Sequence, residues 1–165
     1  MPRAAIGLGA NLGDPAEQLR RAWQQLQGLP GLQSGRCSSL YRSPPLGPAT
    51  QPDYCNAVAE FHTALEPHAL MQALLGIEQR FGRHRDGQRW GPRVLDLDLL
   101  WIEGVVLQEP ALTLPHPGWR QRDFVLWPWA QLSPLLEPVP GDGCLIDLAR
   151  ACRQQGLPLW SADAQ

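Results

Sequence analysis

No lysine occurs in this chain; all 14 of its basic side chains are arginine. That excludes Schiff-base and pyridoxal chemistry built on a lysine, and it excludes a phosphate loop of the Walker type. Any phosphate the protein handles must be held by arginine, backbone N–H groups or metal. A large charge of either sign is also missing. The formal net charge is −2 and the pI about 6.0, which argues against nucleic acid or an anionic membrane as partner. No apolar run approaches the roughly 18 residues of a membrane span, and no basic-then-apolar leader is seen. Cysteine is scarce. Cys37, Cys55, Cys144 and Cys152 form no CxxC pair, so neither a zinc site nor a redox pair is indicated, and they read as small buried apolar residues. These absences predict a cytoplasmic enzyme or binding protein.

What is present suits a single domain over residues 1–165, with 44% hydrophobic residues to fill one core. Ala4-Ala5-Ile6-Gly7-Leu8-Gly9 reads as a short buried strand running into a turn. Asp14-Pro15-Ala16-Glu17 then carries an N-cap, a first-turn proline and a capping-box glutamate, and Leu19, Ala22, Trp23 and Leu26 follow at helical spacing until Gly28 and Pro30. Segment 33–42 reads as a strand and leads to the loop Ser43-Pro44-Pro45-Leu46-Gly47-Pro48. Residues 54–63 alternate, with Cys55, Ala57, Ala59 and Phe61 on one face and Tyr54, Asn56, Val58 and Glu60 on the other. Pro67 opens a second amphipathic helix carrying Leu70, Met71, Leu74, Ile77 and Phe81. An arginine-rich loop over 82–93, a strand over 94–102, a hairpin through Glu103-Gly104 and a last helix over about 145–154 complete the reading. The order is βαββαβ with C-terminal additions. It predicts an α+β, ferredoxin-like sandwich, a mostly antiparallel sheet with helices packed on it.

The sharpest local signal is Val94-Leu95-Asp96-Leu97-Asp98-Leu99-Leu100. Strand alternation puts Asp96 and Asp98 on one face and the leucines on the other. Two neighbouring carboxylates repel each other unless a cation joins them, and Mg²⁺ is the natural one, since it prefers carboxylate oxygens and can bridge to phosphates. A half-exposed sheet face wetted by water would carry the same pair, so DxD alone decides little. The neighbouring loop adds weight. Five arginines fall between positions 80 and 93, four of them within the stretch Arg83-His84-Arg85-Asp86-Gly87-Gln88-Arg89-Trp90-Gly91-Pro92-Arg93. Arginine matches phosphate oxygens bidentately, and Gly87 and Gly91 would let such a loop act as a lid. A solvated basic loop is the plainer alternative. Gly7 to Gly13 lacks the last glycine of a dinucleotide fingerprint and reads as a tight strand-to-helix turn. Tyr54 and Asn56 share a face and could stack on a flat heterocycle and read its edge, although cross-strand packing would also explain Tyr54. Prolines on both sides stiffen His116.

Together these motifs resemble the 6-hydroxymethyl-7,8-dihydropterin pyrophosphokinase family. The stretches that carry the resemblance are Gly9-Ala10-Asn11-Leu12-Gly13, Tyr41-Arg42-Ser43-Pro44-Pro45-Leu46-Gly47, Gln51-Pro52-Asp53-Tyr54-Cys55-Asn56, Gly82-Arg83, Arg89-Trp90-Gly91-Pro92-Arg93, Leu95-Asp96-Leu97-Asp98, Leu114-Pro115-His116 and Arg122-Asp123-Phe124-Val125-Leu126-Trp127-Pro128. The resemblance implies pyrophosphate transfer from Mg-ATP to the pterin hydroxyl, by attack on the β-phosphorus with AMP leaving, in folate biosynthesis. It implies two Mg²⁺ ions on Asp96 and Asp98. Tyr54 and Phe124 would sandwich the pterin and Asn56 would bond its edge, with Ser43, Pro44, Leu46, Trp90 and Asp96 also around it. Arg83 and Arg93 would stabilise the transferred group, and Glu78, Arg85, Trp90, Arg93, Leu99, Thr113, His116 and Arg122 would surround ATP. The chain departs from the family's pattern at Asp86 and Ala111, where a basic residue is expected, and at Pro117, where an aromatic is. A stand-alone monomer acting on small molecules is the expectation. The rival readings are a nucleotidyltransferase, a non-catalytic ferredoxin-like nucleotide or small-molecule binding module, and an RNA-binding domain. The last would want more strand aromatics and a basic surface.

Overall fold

In the computed structural model, residues 1–45, 50–82 and 94–161 are described. Four strands form the main path of a sheet: β1 (Arg3–Ala10), β2 (Leu32–Cys37), β4 (Tyr54–Thr63) and β5 (Asp96–Ile102), in the order β2-β4-β1-β5. A three-residue strand, β3 (Tyr41–Ser43), pairs with the far end of β4. Every pairing is antiparallel. The order and the antiparallel sense match the predicted ferredoxin-like α+β arrangement.

The first two helices form as the sequence dictates. α1 (Pro15–Gln27) has Asp14 as N-cap, whose Oδ1 accepts from the Glu17 amide at 3.3 Å; such a cap is worth about 1 kcal/mol. α2 (Pro67–Arg80) starts on its proline. Leu19, Ala22 and Leu26 of α1 and Leu70, Leu74 and Ile77 of α2 pack on the face of the sheet that carries Leu8, Cys55, Ala57, Ala59 and Phe61.

The opposite face has a core of its own, which corrects the expectation of a single one. Ala5, Val58, Leu100 and Trp101 meet Trp119, Val125, Leu126 and Trp129, with Leu145 and Ala149 beyond. The last six come from a 3-10 turn at Trp119–Gln121, from α3 (Asp123–Leu132) and from α4 (Leu145–Cys152). The sheet is therefore covered on both sides. Trp129 packs against both Trp101 and Trp119, with ring centroids 5.8 Å away in each case. Its indole N–H donates to Glu60 Oε2 at 2.9 Å, and the hydroxyl of Ser133 donates to the same buried carboxylate. Glu60 thus ties the end of α3 to the sheet.

Three local readings need correction. The predicted strand 33–42 is two strands, β2 and β3, separated at residues 38–40. The chain does turn at Glu103-Gly104, with Gly104 at φ +76°, but the hairpin pairs β6 (Leu107–Gln108) with β7 (Thr113–Leu114). Of the cysteines only Cys55 is fully buried, and Cys152 is exposed.

A bulge in β5 bears on the site. Ile6 faces Leu99 and Ala5 faces Trp101, so Leu100 is an extra residue. Before it, Leu95, Leu97 and Leu99 point to the α1/α2 core; after it, Leu100 and Trp101 both point to the α3 core. Asp96 and Asp98 share a face with Leu100.

Candidate active site

At the end of the sheet where β1, β4 and β5 meet the start of α3 lies a cavity of about 510 Å³. Its floor follows from strand register. Gly9 pairs with Asn56 on one side and Asp96 on the other, and Gly7 pairs likewise with Val58 and Asp98. Two rows therefore cross the sheet, Asn56–Gly9–Asp96 and Val58–Gly7–Asp98. Glycine at both central positions leaves the floor flat. A Cβ on Gly9 would stand 3.3 Å from Asn56 Oδ1 and 3.8 Å from the Tyr54 ring, room that a flat ligand can use instead. The strand reading of residues 4–9 holds, and the predicted strand-to-helix turn starts later than Gly7, after Ala10: Gly7 and Gly9 belong to β1 and line the cavity.

One wall combines Tyr54 with Ser43 and Pro44. Ser43 is fixed by Asn56, whose Nδ2 donates to the serine Oγ at 2.6 Å, and both residues are buried. Asn11 holds the preceding loop, its Nδ2 donating to Gln51 Oε1 and to the Pro52 carbonyl, each at 3.1 Å. The opposite wall consists of His116, Pro117 and Gly118 together with Arg122, Phe124 and Val125. The His116 amide donates to the Leu100 carbonyl at 2.8 Å, which fastens this wall to the bulge in β5. Gly118 leaves space for Arg122: a Cβ there would come within 2.9 Å of the Arg122 Nε.

Of the residues that the sequence singles out, Ser43, Pro44, Tyr54, Asn56, Asp96, Asp98, His116, Arg122 and Phe124 line this cavity together. Three others do not. Leu99 is buried in the α1/α2 core. Thr113 lies in β7, its hydroxyl 3.5 Å from the Glu109 carbonyl. Glu78, only 2% exposed, accepts from the Leu97 amide at 2.7 Å. Leu97 stands between the two aspartates, so Glu78 secures the edge strand that carries them. Leu46, Arg83, Arg85, Trp90 and Arg93 lie outside the described residues. Gly7, Gly9 and Gly118 are lining residues that the sequence reading missed; paired glycines at i and i+2 in a strand are the signal for the first two.

His116 is neutral by arrangement. Burial lowers its pKa below the ordinary 6.5; Asp98 pulls it back up, and Arg122 pushes it further down. Its Nδ1 accepts from the Gly118 amide at 3.1 Å, which leaves the proton on Nε2. In metal-free protein the unfolded chain binds a proton that the folded chain resists, so this contribution to stability is complete above pH 6.5 and is lost as the pH falls below it. The unfolding midpoint of the parent chain should therefore drop between pH 7 and pH 5.5 by more than that of His116→Gln. Equal drops would refute the assignment.

Asp96 and Asp98, both half-buried, bring two carboxylates to one face. Among the described residues no group of three or more acidic, histidine or cysteine side chains is placed to hold a metal. Two carboxylates nonetheless fit Mg²⁺, which takes one or two from protein and completes its octahedron with water and phosphate oxygens. The site can thus hold a flat heterocycle beside a polyphosphate.

Comparison with known proteins gives the family. The sequence profile of the family described as 7,8-dihydro-6-hydroxymethylpterin-pyrophosphokinase (HPPK) matches residues 5–134. A Pseudomonas aeruginosa protein named 2-amino-4-hydroxy-6-hydroxymethyldihydropteridine pyrophosphokinase is 43% identical over 155 residues, 94% of each chain. A Synechocystis protein of the same name is 45% identical over 131 residues, which is 79% of this chain and 66% of that one. Among solved structures, that of Plasmodium falciparum HPPK-DHPS with pteroate superposes with a TM-score of 0.70 at 12% identity, over 91% of this chain and 42% of that one. The fold is shared, and this chain spans less than half of that longer protein. By the extent of the profile match and the identity to full-length relatives, the chain belongs to the HPPK family.

Proposed function

We propose that this protein transfers the pyrophosphoryl group of Mg-ATP to the hydroxyl of 6-hydroxymethyl-7,8-dihydropterin, as a step of folate biosynthesis. The observation that carries the reading is the floor of the cavity, where a glycine slot lies between the amide of Asn56 and the carboxylates of Asp96 and Asp98. The flat pterin lies over Gly9, its hydrogen-bonding edge on Asn56 and Ser43, its ring between Tyr54 and Phe124. That placement brings the hydroxymethyl group towards the aspartates.

Asp96 and Asp98 would hold two Mg²⁺ ions, whose chemistry is to neutralise the triphosphate and align it. Arg122 and the Nε2–H of His116 bind phosphate oxygens from the opposite wall. Asp98 takes the proton from the hydroxyl as its oxygen forms a bond to the β-phosphorus. The bond from that phosphorus to the α,β-bridging oxygen breaks, and AMP leaves with the electron pair. Arg83 and Arg93 stabilise the charge on the group in transit, and Arg85, Trp90 and Leu46 complete the surroundings that the family pattern implies. In such transfers alignment and charge neutralisation supply most of the catalysis.

Residues 1–165 act as one domain and as a monomer, which is what the family resemblance implies. Free thiols suit a reducing compartment such as the cytoplasm.

Identifying the nucleotide product tests the reading. With Mg-ATP and the hydroxymethyl-dihydropterin, AMP should form in step with a pterin diphosphate. ADP would overturn the donor cleavage. Pterin binding without turnover in folded protein would make the chain a binding module.

A further inference from the structure

We propose that residues 158–160 form a strap that positions the pterin-reading edge of the cavity; the inference rests on the pterin site proposed above. β3 has three residues and pairs with β4 along one side only, Ser43 facing Tyr54 and Tyr41 facing Asn56. So short a strand is weakly held by one ladder. Its other side is taken by the chain far downstream. The Arg42 amide donates to the Pro158 carbonyl at 2.8 Å, the Trp160 amide donates to the Leu40 carbonyl at 2.9 Å, and Tyr41 pairs with Leu159 in an antiparallel bridge.

Side chains reinforce the backbone. The Arg42 guanidinium lies 4.0 Å from the centre of the Trp160 ring and 3.6 Å from Asp53 Oδ2. Arg42 therefore joins the strap, β3 and the residue just before Tyr54. Its direct neighbour is Ser43, whose hydroxyl holds the buried amide of Asn56. The strap pairs with Tyr41 and Arg42, one residue from Ser43 in β3. A second tie, the Tyr41 hydroxyl donating to Gln131 Oε1 at 2.8 Å, holds the other end of β3 to α3. Loss of the strap should thus free Ser43 without unpairing the strand. Trp160 and Arg42 are positioning residues, acting on the pterin through Ser43 and Asn56. Their contacts run to the β3–β4 side of the cavity, across from the wall formed by His116 and Arg122.

Titration of pterin fluorescence tests this, with dihydropterin and a non-hydrolysable ATP analogue measured separately. Trp160→Ala should weaken dihydropterin binding by about 3- to 30-fold, the range for losing one stacked arginine–indole contact. Affinity for the ATP analogue should stay the same. Trp160→Phe keeps a ring under Arg42 and should restore most of the loss. If Trp160→Ala does not fold, Arg42→Gln removes the same contact while leaving the strand bonds in place, and it should show the same selective loss. Unchanged dihydropterin affinity in either folded variant overturns the strap role, as does an equal loss for both ligands. Failure of the parent chain to bind dihydropterin at all overturns the pterin site, and the strap's role with it.

Discussion

Asp98→Asn should lower kcat by about 10²- to 10⁴-fold at saturating Mg²⁺, the span that removal of a general base produces. The substitution keeps the shape of the side chain and removes its charge. Asp98 lines the cavity beside Gly7 and shares its face with Asp96, so under the proposed mechanism one change would take away both a proton acceptor and half of the metal-binding charge. Folding should not suffer, because relieving two like charges side by side is neutral or favourable. Single-turnover rates with an unfolding scan on the same protein make the measurement. A near-normal rate would mean that neither the proton nor the metal depends on Asp98.

Asn56→Leu should weaken dihydropterin binding by about 30- to 100-fold with little change for ATP. Asn56 is only 4% exposed and its Nδ2 reaches Ser43 Oγ at 2.6 Å. Leucine of similar size removes the amide proposed to read the heterocycle and leaves the Ser43 hydroxyl buried without its donor, and each such orphaned group costs about 1–3 kcal/mol. Discrimination of this kind comes from buried polar groups that only the right ligand satisfies. Ser43→Ala, which leaves the Asn56 amide in place, should lose clearly less. Equal losses for both ligands would show instead that Asn56 serves the fold.

The site was legible in the sequence where chemistry and periodicity coincide. Residues 54–63 alternate so regularly that both faces of β4 could be read in advance, and the capping signals at Asp14 and Pro67 marked α1 and α2. Other parts are set by tertiary context. α3 carries Pro128 in its interior, and a proline there removes one helical hydrogen bond and normally argues against a helix. Burial of Val125, Leu126 and Trp129 against Trp101 and Trp119 outweighs that loss. The run Leu99-Leu100-Trp101-Ile102 has no polar residue to betray its bulge. Gly7 and Gly9 fall within both the strand reading of residues 4–9 and the turn reading of residues 7–13, because a glycine does not announce whether it bends a chain or clears a floor; only their register against Asn56 and the aspartates shows the second. The roles of Glu78 and of residues 158–160 depend on partners 19 to more than 100 residues away, a distance at which no local pattern speaks.

The bulge at Leu100 separates two tasks within one strand. An inserted residue ordinarily inverts every side chain beyond it. Here that inversion is already built in and already satisfied, since Leu100 and Trp101 fill the same core. The stretch up to Leu99 can consequently keep its carboxylates aimed into the cavity while the stretch beyond it drifts with the demands of packing. Selection can remodel the tryptophan-rich layer without disturbing the aim of Asp96 and Asp98, so catalysis and durability are free to evolve at different rates along a single strand.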